Sequence, residues 1–428
     1  MANQTQSIQD VQTVVRNTAG AMSMADPFIA NANKDEIDFV MNPAQTGATC
    51  LITRPATGFA QDTWDMTGNE GAVQQQTQTF TVDKQIMANI TASGADWATR
   101  LVNNKPLLDD FLQANARSIA IKVAQKASEK ATEQTYRCYH GGLTAAGVAG
   151  GVGAINDMTQ IRSAANAMYD YGVQGQYDLY LDSETNNAVV DSGLSKFTLN
   201  RNNSEAQSWL IGDTENLSML RASTLHTHTS GTIGNDGAEL TLTNVNAAGN
   251  QLTFSGAGAA GTVNANDIIE FQSADLYEVS YLGQVPLSNR KVQARVTAPA
   301  VATAGGNIVI DVELGNGKGF IAPNAVGTEQ AFQNINRALV AAGAGADKAR
   351  VIPDHKVGIL AQKRTYFLGM PKLDVMPGWG SASESVNGVS LRLTDGSDFQ
   401  TAKMMKRMDC LAGWCFTSET AMRIALPA

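Results

Sequence analysis

The sequence is organised around one long helical pattern, PLLDDFLQANARSIAIKVAQKASEKA, which runs from Pro106 to Ala131. Its apolar residues recur at steps of four and three, which places them in one stripe: Leu108, Leu112, Ala116, Ile119, Val123, Ala127 and Ala131. Asn104 is a suitable cap, and a proline in the first turn loses no hydrogen bond. We expect a helix from Pro106 to about Glu133, roughly 40 Å long at about 1.5 Å per residue. That length predicts a spine linking distant parts of the molecule.

The segment before this helix is polar and contains little that could form a core. Residues 1–45 predict an extended or partly helical arm, and the alternation between Ala48 and Arg54 predicts a strand. The stretch from Gln74 to Val82 is rich in Gln and Thr and completes a long hairpin. Isolated hairpins are marginal in water, so we expect this one to rest on a neighbouring subunit. The candidate interface residues are Trp64, Asp65, Gln76, Gln78 and Phe80.

After the long helix, patterns typical of helices and strands alternate. Residues 156–171 predict a helix, residues 177–181 predict a buried strand, and another helix begins at Ser183. This alternation favours an α+β or α/β layer.

A different pattern begins near Ser223, where short strands of period two are separated by turn residues and no helical pattern intervenes. Such a pattern predicts an all-β barrel or sandwich, ending near residue 317. The α/β character then returns, with a helix predicted over 332–342 and a strand over 355–360. A β module that interrupts an α+β domain is typical of a domain insertion. We therefore expect a fragment of residues 222–326 to fold alone.

Composition and charge limit the possible functions. The 428 residues include 31 Lys and Arg against 40 Asp and Glu, a formal net charge of −9. This balance argues against attraction to nucleic acid, which needs clustered Lys and Arg. No stretch approaches the roughly 18 consecutive apolar residues of a membrane helix, and the polar start does not resemble a signal peptide. The cysteines show no CxxC pair, which favours buried free thiols in a reducing cytoplasm: Cys50, Cys138, Cys410 and Cys415.

Two glycine-rich stretches resemble nucleotide motifs only in some positions. Residues 256–261 read GxGxxG, but the following Thr262 and Val263 favour a strand where a dinucleotide site requires a helix. We therefore expect a hairpin tip. Lys318 follows a glycine, yet Val312 and Gly319 occupy the positions where a phosphate loop requires Gly and Ser or Thr. Neither stretch predicts a cofactor.

The histidines and acidic pairs do not predict an active site. His226 and His228 would point the same way on a strand, so a metal is conceivable, but no third ligand is near in sequence. We favour surface histidines at a domain junction. His140 and His355 lack a neighbouring nucleophile turn. Capping or solvation explains the acidic pairs better than acid–base chemistry: Asp182 with Glu184, and Asp395 with Asp398. We expect no catalytic residue, no metal site and no cofactor, and hence a protein that is not an enzyme.

Three stretches carry a resemblance to a known family. Residues 62–67, DTWDMT, resemble the Trp-Asp turn of an extended loop, and residues 106–131 resemble a spine helix. Residues 406–414 with 419–424 resemble a closing β-hairpin. Together with the order of elements, they resemble the major capsid proteins of tailed phages with the Hong Kong ninety-seven fold. The more specific likeness is to the P-twenty-two-type podophage coat proteins, which carry an inserted β domain.

The resemblance implies an α+β phage capsid fold with an inserted barrel-like β domain. Its implied regions are an N-terminal arm (1–45), an extended loop (46–92), the spine helix with some of the peripheral domain (93–140), a first axial segment (141–223), the inserted domain (224–325), a second axial segment (326–370) and peripheral strands (371–428).

The function implied by the resemblance is assembly. Many copies would form hexamers and pentamers of an icosahedral shell around double-stranded DNA, through a precursor shell that expands on packaging. The implied partners are a scaffolding protein and a portal protein, with DNA enclosed but not read. Assembly in the bacterial cytoplasm and residence in the virion capsid follow. Two alternatives remain open, an encapsulin-like compartment shell and a β-rich surface protein or adhesin.

Overall fold

We describe the protein from a computed structural model. The residues that it describes are 2–34, 38–40, 48–54, 56–58, 73–75, 77–93, 96, 105–145, 147–192, 210–214, 216–280, 285–315, 317–323, 332–363, 365–376, 380–398, 401 and 403–427. The chain divides into two compact units. The first comprises residues 1–52, 77–127 and 366–415, and the second comprises residues 53–76, 128–365 and 416–428.

The described helices are α1 (Ala2–Ser23), α2 (Pro27–Ala30), α3 (Lys105–Gln134), α4 (Met158–Asp170), α5 (Ser183–Asp191) and α6 (Thr232–Asn235). The first strands are β1 (Asp38–Val40), β2 (Ala48–Thr53), β3 (Thr57–Gly58), β4 (Val73–Gln74), β5 (Thr77–Val82), β6 (Lys84–Ser93), β7 (Cys138–His140), β8 (Tyr177–Leu181) and β9 (Leu210–Thr214). The next are β10 (Leu217–Arg221), β11 (Thr227–His228), β12 (Glu239–Val245), β13 (Gln251–Ser255), β14 (Thr262–Val263), β15 (Ile268–Phe271), β16 (Tyr277–Val279), β17 (Pro286–Lys291) and β18 (Gln293–Val296). The last are β19 (Ala300–Val301), β20 (Ile308–Glu313), β21 (Lys348–Val351), β22 (His355–Gln362), β23 (Tyr366–Gly369), β24 (Gly380–Val386), β25 (Val389–Asp398), β26 (Lys403–Phe416) and β27 (Ala421–Leu426).

The predicted spine is present as α3, a helix of 30 residues. Its apolar stripe is buried as expected from Leu112 to Ala131, while the cap proposed at Asn104 lies outside the described residues. Helix α4 also lies where the sequence predicts a helix, within residues 156–171. Asp157 and Gln160 form a capping box at its start.

The first unit is built on a five-stranded sheet in which β26 is the longest strand. β26 pairs with β25 on one side and with all ten residues of β6 on the other, from Lys403 opposite Ser93 to Ala412 opposite Lys84. Helix α1 packs on β24 and β25. Buried Asp409 holds the strands together, because its carboxylate accepts hydrogen bonds from Arg392 on β25 and Gln85 on β6.

A small apolar cluster in this unit includes one of the residues that the sequence suggests for a subunit interface. β1, β2 and β5 form a separate sheet. Phe80 of β5 is only 5% exposed and packs with Val82, Cys50 of β2 and Phe367 of β23. The alternating burial of β5 turns Phe80 and Val82 inward. Phe80 therefore contributes to the core of its own chain.

The second unit contains a seven-stranded mixed sheet in the order β7-β27-β22-β8-β10-β9, with β11 paired to β22. All five residues of β8 are buried, as the sequence predicts for Tyr177–Leu181. One expectation is wrong here: β26 and β27 do not form a hairpin with each other. β27 pairs with β22 and β7 in this sheet, whereas β26 lies in the first unit.

The predicted β module is a closed barrel of six strands, β12-β13-β20-β18-β15-β21. Its interior is filled with fully buried apolar side chains such as Phe254, Phe271 and Ile310. β21 closes the barrel because it pairs with both β12 and β15. This strand lies beyond the predicted boundary at residue 325, so the module extends to Val351.

The helix predicted over 332–342 is wrong, because this segment is irregular in the structure. Asn334 and Asn336 bond through their side chains to the backbone of Ile321 and Tyr277, which competes with helical hydrogen bonding. Ile335, between them, is buried in the barrel core. Tertiary contacts thus override an apolar spacing that resembles a helix.

Candidate functional site

The candidate functional site is the barrel junction, which we define as Arg423, Gln293, Glu270, His140, His228 and Asp267. In the junction, the seven-stranded sheet and the end of α3 meet the barrel through buried polar side chains. All six residues lie in the second unit. Since buried polar groups require hydrogen-bond partners, their contacts define one arrangement of the barrel against the sheet.

Arg423 of β27 is the central contact and is fully buried. Its Nε donates to Thr135 Oγ1 at 2.9 Å and its Nη2 donates to the carbonyl of Thr135 at 2.8 Å, directly after α3. It also donates to the carbonyl of Thr132 within the last turn of α3. Its Nη1 donates to the carbonyl of Asn266 in the barrel at 2.8 Å. Burial lowers the pKa of this guanidinium to about 9. One side chain thus ties together helix, sheet and barrel.

Glu270 of β15 is the second centre. His140 Nε2 and Gln293 Nε2 each lie 2.8 Å from its Oε2, and Lys291 Nζ lies 3.2 Å from its Oε1. Gly142 N donates to His140 Nδ1, which leaves the ring proton on Nε2. Burial raises the pKa of Glu270, but the hydrogen bonds from His140 and Gln293 and the charge of Lys291 outweigh burial and bring it to about 2. The carboxylate is therefore a fixed anion.

Gln293 extends this contact to the backbone of the sheet. Its Oε1 accepts a hydrogen bond from Cys138 N at 2.7 Å and its Nε2 donates to Cys138 O at 2.8 Å. Its amide therefore pairs with the peptide groups of β7 as a neighbouring strand would, and continues the sheet towards the barrel.

The third contact of the junction is a buried histidine. His228 Nε2 lies 2.7 Å from Asp267 Oδ1, and Asp267 also accepts from the backbone of Gly231 and Asn264. His228 is 5% exposed, so the expectation of a surface histidine is wrong for this residue. The ring centroid of His228 lies 5.4 Å from that of His355. Burial lowers the pKa of His355 to about 3. Among the described residues, no three His, Cys, Asp or Glu side chains are placed to hold a metal.

A cleft of about 210 Å³ opens beside the junction, lined by Cys138, Tyr139, His140, Tyr171, Glu270 and Arg290 among others. The thiol that lines it is a poor nucleophile, because burial raises the pKa of Cys138 to about 12. The carboxylate of Glu270 is already engaged by several donors. The arrangement therefore stabilises the joint between barrel and sheet.

The structure describes two of the five interface residues that the sequence suggests, and both lie on β5. Gln78 is half-buried and Phe80 belongs to the core cluster, whereas Trp64, Asp65 and Gln76 fall outside the described residues.

Capping explains the first acidic pair as predicted, whereas the second pair lies on a strand and not in a loop. Asp182 accepts from Thr185 N at 3.0 Å at the start of α5 and lies 3.1 Å from Lys356 Nζ. Asp395 lies on β25, 2.6 Å from Lys406 Nζ on the neighbouring strand β26.

The structure of the glycine-rich stretches and of the cysteines agrees with the sequence-based predictions. Residues 256–261 form a loop between β13 and β14, and no helix follows them. Lys318 N bonds to Gly315 O in a turn. All four cysteines are buried and free.

Arg423 and Gln293 were missed by sequence reasoning. The available signal was a single arginine inside the apolar run Ala421–Leu426, a pattern typical of a charge that has buried partners.

The sequence matches no family model, and no curated protein matches it. No described helix combines the length and apolar character that crossing a membrane requires. Solved structures do match. The head structure of Helicobacter pylori bacteriophage KHP40 shares 9% identity over 94% of this chain and 91% of its own, with a TM-score of 0.42. The acidic stable capsid structure of Helicobacter pylori bacteriophage KHP30 shares 11% identity over 95% of this chain and 91% of its own, with a TM-score of 0.41.

The mature capsid of bacteriophage PhiM1 shares 9% identity over 94% of this chain and 87% of its own, with a TM-score of 0.37. The chain is thus similar in structure to these three phage head and capsid structures.

Proposed function

We propose that this chain is the major capsid protein of a tailed phage and that its role is assembly rather than catalysis. In this proposal it forms the hexamers and pentamers of an icosahedral shell around double-stranded DNA. A precursor shell expands as DNA is packaged, and assembly takes place in the host cytoplasm. A scaffolding protein and a portal protein are the expected partners.

The observation that carries the proposal is the route of the chain. Residues 77–127 belong to the first unit, 128–365 to the second, 366–415 to the first again and 416–428 to the second. The second unit contains a mixed sheet interrupted by a closed barrel. The discontinuous units, the 30-residue helix and the sheet interrupted by a closed barrel support this proposal.

The charge of the protein suits a container for DNA. With a formal net charge of −9, the chain offers no overall attraction to phosphate. In the proposed shell, packaged DNA would slide along the wall instead of being held by released counterions.

The test is expression of the full chain in bacteria, followed by sedimentation and negative-stain microscopy. We expect closed shells or curved sheets built from a repeating subunit. A protein that stays monomeric at high concentration, in the presence and absence of crowding agents, would contradict the proposal.

A further inference from the structure

The long helix α3 carries a second stripe that is exposed in the part of the chain that the structure describes. We define this outer stripe as Phe111, Ala114, Ser118, Ile121 and Gln125, all of which are exposed. Phe111 is 45% exposed and Ile121 is 49% exposed. The buried stripe of the same helix occupies other positions, such as Leu112, Ile119 and Val123, so the outer stripe is a distinct face.

The spacing of the outer stripe is that of a coiled-coil seam. Its members are separated by three, four, three and four residues, which places Phe111, Ser118 and Gln125 at a positions and Ala114 and Ile121 at d positions of a heptad. Two small residues, Ala114 and Ser118, lie between the large side chains of Phe111 and Ile121, which leaves room between them. Such a face fits a helix laid along it.

Two cations flank the outer stripe. Arg117 occupies a g position and Lys122 an e position, and both are exposed. Neither forms an ion pair with an acidic side chain that the structure describes. The exposed acid on this stretch of the helix is Asp110, at its N-terminal edge, whereas Glu129 is half-buried further along. The middle of the stripe is therefore positively charged.

A second copy of α3 is a poor occupant of this face. In a parallel pair the g position of one helix faces the following e position of the other, which sets Arg117 against Lys122. In an antiparallel pair g faces g and e faces e, so a register that aligns the whole outer stripe sets Arg117 beside its own counterpart. Like charges at these positions disfavour pairing. DNA would match the charge but would leave Phe111 and Ile121 exposed.

We propose that the outer stripe of α3 is a docking surface for an amphipathic helix of another protein, with acidic residues on both sides of its apolar seam. Its apolar seam covers Phe111 and Ile121, and its acidic residues pair with Arg117 and Lys122. The inference does not depend on the proposed function, because it rests on the spacing, exposure and charge of this face alone.

The experiment uses the full chain as unassembled subunit and two synthetic peptides of about three heptads. Both peptides carry Leu at a and d, while one carries Glu and the other Lys at e and g. We expect the Glu peptide to bind at least about tenfold more tightly than the Lys peptide, as measured by fluorescence anisotropy. Raising the salt concentration should reduce the difference in affinity between the two peptides, because salt screens ion pairs at exposed positions.

Matched variants separate the contributions. The variant R117E/K122E should reverse the preference between the two peptides, and F111S/I121S should weaken binding of both. All four positions are exposed, so circular dichroism and thermal unfolding should match the parent. Equal binding of the two peptides, no binding of either, or no response to charge reversal would each overturn the proposal. Binding of duplex DNA that depends on Arg117 and Lys122, without peptide binding, would overturn it in favour of nucleic acid.

Discussion

The barrel interior and the barrel junction are both buried, yet they are held together by different forces. The interior contains side chains such as Phe254, Phe271 and Ile310, whose burial is favourable in any close-packed orientation. The junction consists of groups such as Arg423 and Glu270, each of which needs partners at defined distances and angles. The interior therefore makes the barrel stable, and the junction fixes where the barrel is held.

The largest expected effect concerns closure of the barrel. A fragment of residues 222–326 lacks β21, so β12 and β15 each lose a partner and the barrel stays open. We expect this fragment to be unfolded by circular dichroism and a fragment of residues 222–354 to unfold cooperatively. A folded 222–326 fragment would show that β21 is dispensable.

The next effect tests the apolar interior. Phe271→Ala should lower the free energy of unfolding by about 3 to 5 kcal/mol, because a fully buried ring is replaced by a cavity. The measurement is chemical denaturation of the full chain. Val309→Ala on β20 is the matched control, since this side chain is 50% exposed and its loss should change stability by less than about 0.5 kcal/mol.

Removing the guanidinium of Arg423 from the junction should lower the free energy of unfolding somewhat less than Phe271→Ala does. Arg423→Met leaves the carbonyls of Thr132, Thr135 and Asn266 without this donor, and we expect a loss of about 2 to 4 kcal/mol. Arg423→Lys should recover only a fraction of it, because an ammonium cannot reproduce the fork of a guanidinium. Arg221→Met, at an exposed position of β10, is the control. Full recovery by lysine would mean that charge alone matters at this position.

The smallest expected effect is a dependence on pH. The pKa of Glu270 falls from 4.5 to about 2 on folding, so the unfolded chain binds the proton more readily. The stability that the ionised Glu270 carboxylate contributes to the folded protein is complete above pH 4.5 and is lost as pH falls towards 2. Thermal unfolding midpoints of the parent should therefore fall more steeply over this range than those of Glu270→Gln. Parallel pH profiles would show that the carboxylate charge is not used in the junction.

Local patterns predicted much of the fold. The stripe of α3, the helical pattern of α4 and the buried run of β8 each lie within one element, so the sequence alone indicates them. Residues 332–342 were misjudged because Asn334 and Asn336 bond to segments distant in sequence. No local pattern encodes such contacts.

The junction was beyond sequence reasoning for the same reason. Arg423 and Asn266 are separated by 157 residues, and Gln293 and Cys138 by 155. Each of these side chains is ordinary in its local segment, and its role depends on a partner brought near by the completed fold. The burial of Phe80 depends on distant residues as well, because Phe367 and Cys50 cover it within its own chain.

The pairing of β6 with β26 has a consequence during synthesis. Ser93 leaves the ribosome long before Lys403, its partner in the ladder. At about 5 to 20 residues per second, the wait between them is roughly 15 to 60 s. Throughout that interval the backbone of β6 lacks its eventual neighbour, while copies from adjacent ribosomes present the same unsatisfied strand. Translation speed and chaperone supply should therefore decide how many chains mature before they associate wrongly.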